Sequence, residues 1–125
     1  MSKIQMKQGV QLLVYPVRDI ARAKALYREL LGVEPYADAP YYVGFRVGDQ
    51  EIGLDPKGHA KAMTGPIGYV EVDDIQGRLK SLLAAGARER QGVTDVGGGK
   101  LIAWLEDADG NLIGLQQAPD GGQKG

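Results

Sequence analysis

The chain has 125 residues, 43% of them hydrophobic and 25% charged, with 15 basic against 16 acidic side chains and a formal net charge of −1. It is long enough for one domain with a true core, and its mixed charges exclude a basic stripe for nucleic acid or an acidic solvating tail. Cysteine is absent, which removes disulfides and thiolate chemistry; no apolar run nears the roughly 20 residues that span a bilayer, and Met1-Ser2-Lys3-Ile4-Gln5 lacks a signal-peptide core, so a cytoplasmic protein is expected.

Residues 9–17 read as a strand that is apolar on both faces, with Leu12 and Val14 on one and Leu13, Tyr15 and Val17 on the other. A strand of that kind is covered on both sides. Asp19 caps a helix over about residues 20–31, with Ile20, Ala23, Tyr27, Leu30 and Leu31 as its buried stripe and Gly32 as its stop. Residues 41–47 form a strand, a two-residue turn at Asp49-Gln50 follows, and Glu51-Ile52-Gly53-Leu54 is the return strand. Residues 56–66 are a loop.

The pattern then restarts. Residues 67–72 read as a strand, and Asp74 caps a helix over about residues 75–85 with Ile75, Leu79, Leu82 and Leu83 on its buried side. Gly86 ends it. Residues 92–99 are turn-rich, and residues 100–106 and 112–116 are a final strand pair around Asp107-Ala108-Asp109-Gly110-Asn111. Ile-Gly-Leu occurs at 52–54 and again at 113–115, each time after a polar turn, and Val17-Arg18-Asp19-Ile20 is matched by Val72-Asp73-Asp74-Ile75. The chain is thus a duplicated unit within one domain: module one over about residues 8–56, module two over about 66–118, and a flexible tail at 119–125. One helix with about three strands, used twice, predicts an α+β fold of two curved mixed sheets with their helices outside.

In that order and spacing, Val17-Arg18-Asp19-Ile20, Ala25-Leu26-Tyr27 and Leu31-Gly32 in the first half resemble the vicinal-oxygen-chelate superfamily of glyoxalases, extradiol dioxygenases and bleomycin resistance proteins. So do Tyr69-Val70-Glu71-Val72-Asp73-Asp74-Ile75, Ala84-Ala85-Gly86-Ala87 and Asp107 through Ile113 in the second half. The resemblance covers about residues 9–117. It implies two βαβββ modules around a cup and a homodimer. Metal-dependent members place a His in the first strand and a Glu in the last strand of each module. The corresponding residues here are Leu12, Ile67, Gly53 and Gly114, none with a side-chain donor, so no metal and no cofactor are expected.

Alternation from Gly53 and Gly114 puts Leu12, Val14, Tyr42, Arg46, Ile67, Tyr69, Glu71, Ile102, Trp104 and Gln116 on the same inward faces as those glycines. That set is aromatic and aliphatic with a few polar groups, the make-up of an organic-ligand pocket, and the glycines at 44, 53 and 114 are read as leaving room in it. Trp104, Tyr42 and Tyr69 offer stacking faces; Arg46 and Glu71 orient a ligand or pair with each other. His59, the sole histidine, lies between lysines in the 56–66 loop, where a solvated side chain competes with a role over the cup mouth. Gly97-Gly98-Gly99-Lys100 lacks Walker spacing and leads into a strand, so it reads as a flexible loop rather than a phosphate cradle.

Three functions follow as expectations. The first is metal-independent binding of a hydrophobic or planar small molecule by sequestration, the antibiotic-resistance mode of the bleomycin-binding relatives. The second is a glyoxalase-like lyase or isomerase using Glu71 with Arg46, or a metal, with Asp55 a weaker acid/base candidate. The third is a module without a ligand. The balance leans away from an enzyme, because no nucleophile–base pair is visible. No nucleic-acid or membrane partner is expected.

Overall fold

The computed structural model describes residues 9–119. Its elements run β1 (Val10–Pro16), α1 (Ile20–Leu31), β2 (Ala37–Ala39), β3 (Tyr42–Val47), β4 (Gln50–Asp55), β5 (Ile67–Glu71), α2 (Ile75–Ala84), β6 (Arg88–Asp95), β7 (Leu101–Glu106) and β8 (Leu112–Gln117), with a 3-10 turn at His59–Lys61. This is βαβββ twice over, the α+β organisation expected from the duplicated sequence. Of the described residues, Gln11–Ile67 form one compact unit, and Gly68–Pro119 with Gly9 and Val10 form the other. The expected tail past Pro119, and the first residue of module one, lie outside the described residues.

In the first unit the strands lie in the order β2-β3-β4-β1. β1 runs parallel to β4, and β3 returns antiparallel to it with Phe45 opposite Ile52 and Val47 opposite Gln50. The hairpin turn is therefore Gly48-Asp49, not Asp49-Gln50. Gly48 supplies the positive φ of 60° that such a turn demands. The slip moves the register by two positions, so every side chain keeps its expected face. Val43, Phe45, Ile52 and Leu54 form a buried cluster against Leu13, Tyr15, Ile20, Tyr27 and their neighbours. α1 starts at Asp19, whose carboxylate accepts from Arg22 N at 3.0 Å, and ends at Gly32 with φ 73°. Leu30 is a correction: it is 70% exposed and lies outside the cluster that holds Ile20, Ala23, Tyr27 and Leu31. At about 100° per residue it sits at the edge of that stripe, just beyond Ala23 and on the side of the exposed Leu26.

Asp55 closes β4 and ties down the loop after it. Its carboxylate accepts from Lys57 N and Lys61 Nζ, both at 2.8 Å, while its carbonyl accepts from Val17 N at 3.0 Å. Both carboxylate oxygens thus accept hydrogen bonds from within the loop that follows. The 3-10 turn ends at Ala62 with φ 70°, a left-handed conformation that disfavours a Cβ. Ala62→Gly should raise stability by about 0.5–1 kcal/mol, read as a higher midpoint in urea denaturation.

The second unit orders its strands β5-β8-β7-β6, with β5 parallel to β8 and the other neighbours antiparallel. Val72, Ile75, Leu79, Ala103, Leu105 and Leu115 are its buried cluster under α2. Asp74 caps α2 by accepting from Gly77 N at 3.0 Å, and Gln117 Oε1 accepts from Ile75 N at 2.7 Å. Leu83, expected on the buried side, is exposed. Two strands escaped the sequence. β6 begins Arg-Glu-Arg-Gln, carries no apolar alternation and is broken by register shifts at Glu89/Gln91 and Gln91/Thr94, while β2 is only three residues long.

Candidate functional site

None of the twelve residues expected to face a ligand belongs to either helix-covered cluster. In the first unit, Val14, Gly53 and Gly44 lie side by side across β1, β4 and β3, with Arg46 opposite Glu51 one step along. Leu12 and Val14 are buried, as is Ile67, the last residue of this unit. Tyr42 is half-buried and bends over Gly53, so a Cβ at residue 53 would collide with its hydroxyl. A Cβ at residue 44 would come within 2.9 Å of the Tyr36 ring. The room left by these glycines is therefore taken by tyrosines of their own unit. Tyr42 reaches Gly53 from the diagonal position, two residues from Gly44, the β3 residue directly opposite Gly53.

Arg46 is engaged locally. Its guanidinium stands 4.2 Å from the centre of the Tyr36 ring, and Nη2 lies 3.5 Å from Glu51 Oε2. The Tyr36 hydroxyl donates to Glu51 Oε1 at 2.7 Å. Desolvation, then the hydrogen bond to Glu51, pushes the Tyr36 hydroxyl well above the usual phenol range. Tyr36 and Glu51 are the site neighbours that the sequence did not single out. Glu51 was within reach, being two residues before Gly53 on one strand face. Tyr36 precedes a strand too short to show a period.

The second unit presents two rows across β5, β8 and β7: Tyr69–Gly114–Trp104, and next to it Glu71–Gln116–Ile102. Tyr69 and Trp104 are each 6% exposed, and Trp104 Nε1 donates to the Tyr69 hydroxyl at 2.7 Å. The bond spans the strand between them, and Gly114 permits it: a Cβ there would lie 2.6 Å from Tyr69 Cδ2. An aromatic pair is thus locked in place over a glycine, with its polar atoms facing each other. Glu71 is exposed, Ile102 is half-buried, and Gln116 is buried.

His59 is exposed on the 3-10 turn. Gly97, Gly98 and Gly99 all take positive φ in the turn between β6 and β7, with Lys100 N donating to Gly97 O at 3.1 Å. Among the described residues no three of His, Cys, Asp and Glu come together as a metal ion would require. A groove beside the start of α1, lined by Val17, Arg18, Asp19, Arg22, Ala23 and Leu26, contains none of the expected residues. No described helix is long and apolar enough to cross a membrane.

The sequence matches the family model of the Glyoxalase/Bleomycin resistance protein/Dioxygenase superfamily over residues 9–115. No curated protein matches it. Among solved structures, hypothetical protein BH1468 from Bacillus halodurans C-125 superposes with a TM-score of 0.74 at 16% identity, covering 92% of this chain and 97% of that one. A glyoxalase/bleomycin resistance protein/dioxygenase superfamily member from Vibrio splendidus 12B01 gives 0.65 at 16% identity, covering 90% and 100%. Methylmalonyl-CoA epimerase from Mycobacterium tuberculosis gives 0.66 at 20% identity, covering 89% of each chain. At these identities the likeness is one of fold.

Proposed function

The chain belongs to the Glyoxalase/Bleomycin resistance protein/Dioxygenase superfamily, and we propose that within it this protein binds a hydrophobic, partly planar small molecule without a metal, by sequestration. The observation that carries this reading is the Tyr69–Trp104 pair held over Gly114. A metal held by imidazole and carboxylate does not fit the residues at hand. The positions that the family resemblance assigns to ligands are Leu12, Ile67, Gly53 and Gly114, and the space beside the two glycines is filled by Tyr42 and Tyr69. The enzymatic alternative, a lyase or isomerase using Glu71 and Arg46, is less well supported. Arg46 is taken up by Glu51 and Tyr36, and Glu71 is exposed to water rather than enclosed by apolar walls.

A homodimer acting in the cytoplasm completes the proposal; a monomeric mass at micromolar concentration would contradict its first half. The test of binding is a thermal-shift screen with planar aromatic compounds. A ligand present at about 100 times its Kd should raise the melting temperature by roughly 10 °C, and Trp104→Ala should abolish the shift. Stoichiometric metal retained by the purified protein at these positions, or no shift with any compound, would overturn the reading.

A further inference from the structure

Two adjacent glutamines at the end of β8 point to opposite faces of the sheet and meet different fates. Gln117 faces α2, and its Oε1 accepts from Ile75 N at 2.7 Å. Gln116 faces the other way, on the side of Gly114 and Trp104, and is 8% exposed. Its Oε1 is buried with no hydrogen-bond partner. A buried amide oxygen left unpaired is costly, and native folds rarely tolerate one without a purpose.

The neighbours say what purpose fits. Glu71 stands beside Gln116 on the parallel strand β5, about 4.8 Å away between strands, and adds a second acceptor that carries negative charge. The row alongside holds Tyr69 and Trp104, whose polar atoms already face each other. One edge of this face therefore carries two acceptors, the buried Gln116 Oε1 and the exposed Glu71 carboxylate, the other a buried aromatic pair, and no cationic side chain stands in either row.

We propose that Gln116 Oε1 and the Glu71 carboxylate form the polar anchor of the site, and that they select a planar ligand bearing N–H donors, such as an amidine, guanidine or amino-heteroaromatic cation. This rests on the small-molecule reading above and names the ligand class for it. A planar cation with two N–H groups satisfies the orphaned amide oxygen and the carboxylate together while its ring lies towards the aromatic row. An anionic ligand of equal shape would meet like charge at Glu71 and leave Gln116 Oε1 unpaired.

Trp104 is the sole tryptophan of the chain, so its fluorescence reports on this face alone. Benzamidine and benzoate serve as probes because they share a shape and carry opposite hydrogen-bonding groups. Benzamidine should perturb Trp104 with at least 10-fold higher affinity than benzoate, and Gln116→Leu should weaken benzamidine by 10-fold or more, as loss of a charge-assisted hydrogen bond implies. Glu71→Gln should weaken it less and flatten its salt dependence. Gln116→Leu should also unfold at a higher urea concentration than the wild-type chain, since it removes a buried unpaired atom at little change in volume. Equal affinity for the two probes, a preference for benzoate, benzamidine binding that survives Gln116→Leu, or a destabilised Gln116→Leu would each overturn the proposal. Binding of benzoate or of neutral aromatic compounds would still leave the small-molecule reading standing; absence of any binding would remove both.

Discussion

Replacing Gly114 with alanine is expected to lower stability by about 2–3 kcal/mol, near the top of the range for forcing one extra carbon into a packed interior. The new Cβ would lie 2.6–2.8 Å from three atoms of the Tyr69 ring, and that ring cannot retreat cheaply. It is buried, and its hydroxyl holds Trp104 Nε1 at 2.7 Å. Moving the ring breaks the bond and leaves a buried indole N–H unpaired, which adds to the steric cost. A double-mutant cycle isolates the cause. In a Tyr69→Ala background, Gly114→Ala should be nearly neutral, giving a coupling of about 2 kcal/mol. Urea denaturation followed by circular dichroism measures all four corners. A cost below about 0.5 kcal/mol in the wild-type background would mean that the aromatic pair is loosely held.

The second large effect lies in the other unit. Phe45→Ala should cost about 3–5 kcal/mol, because Phe45 is wholly buried opposite Ile52 at the centre of its cluster. Leu30→Ala is the matched control: at 70% exposure it should change stability by less than about 0.5 kcal/mol. The helical spacing of Ile20, Ala23, Tyr27, Leu30 and Leu31 treats Leu30 as core, so the two variants together separate that sequence expectation from the observed packing. A loss of 2 kcal/mol or more at Leu30 would restore the sequence expectation.

The contrast at Leu30 shows where reading the sequence succeeds and where it stops. Alternation along β3, β4, β7 and β8 was legible because each strand has one face committed to a helix, so Phe45, Ile52, Leu105 and Leu115 fix the orientation of Arg46, Gly53, Trp104 and Gln116. The caps at Asp19 and Asp74 were legible because a carboxylate before an apolar stripe has few other uses. The hairpin register was not, since a slip of two residues leaves every face unchanged and only the positive φ at Gly48 decides it. β2 and β6 were hidden because short or polar edge strands carry no hydrophobic period.

The glycines held the largest misreading. From sequence, Gly44, Gly53 and Gly114 are absences, and an absence on an inward face reads as space for a ligand. In the fold each is matched to a tyrosine: Tyr36 at Gly44, Tyr42 at Gly53, Tyr69 at Gly114. The glycines therefore mark tyrosine packing rather than holes for a ligand. That distinction depends on which way three side chains lean, and no local pattern encodes it.

One resonance tests the central claim most directly. In a proton–nitrogen spectrum of the labelled protein, the indole N–H of Trp104 gives a single peak, as the chain has no other tryptophan. The proposed site predicts that this peak lies downfield, as expected for a hydrogen bond to the Tyr69 hydroxyl, and moves upfield in Tyr69→Phe. It also predicts that the peak shifts saturably when a planar aromatic ligand is added. An indole peak at the position of free tryptophan, or one that stays still while such a ligand binds elsewhere on the chain, would contradict it.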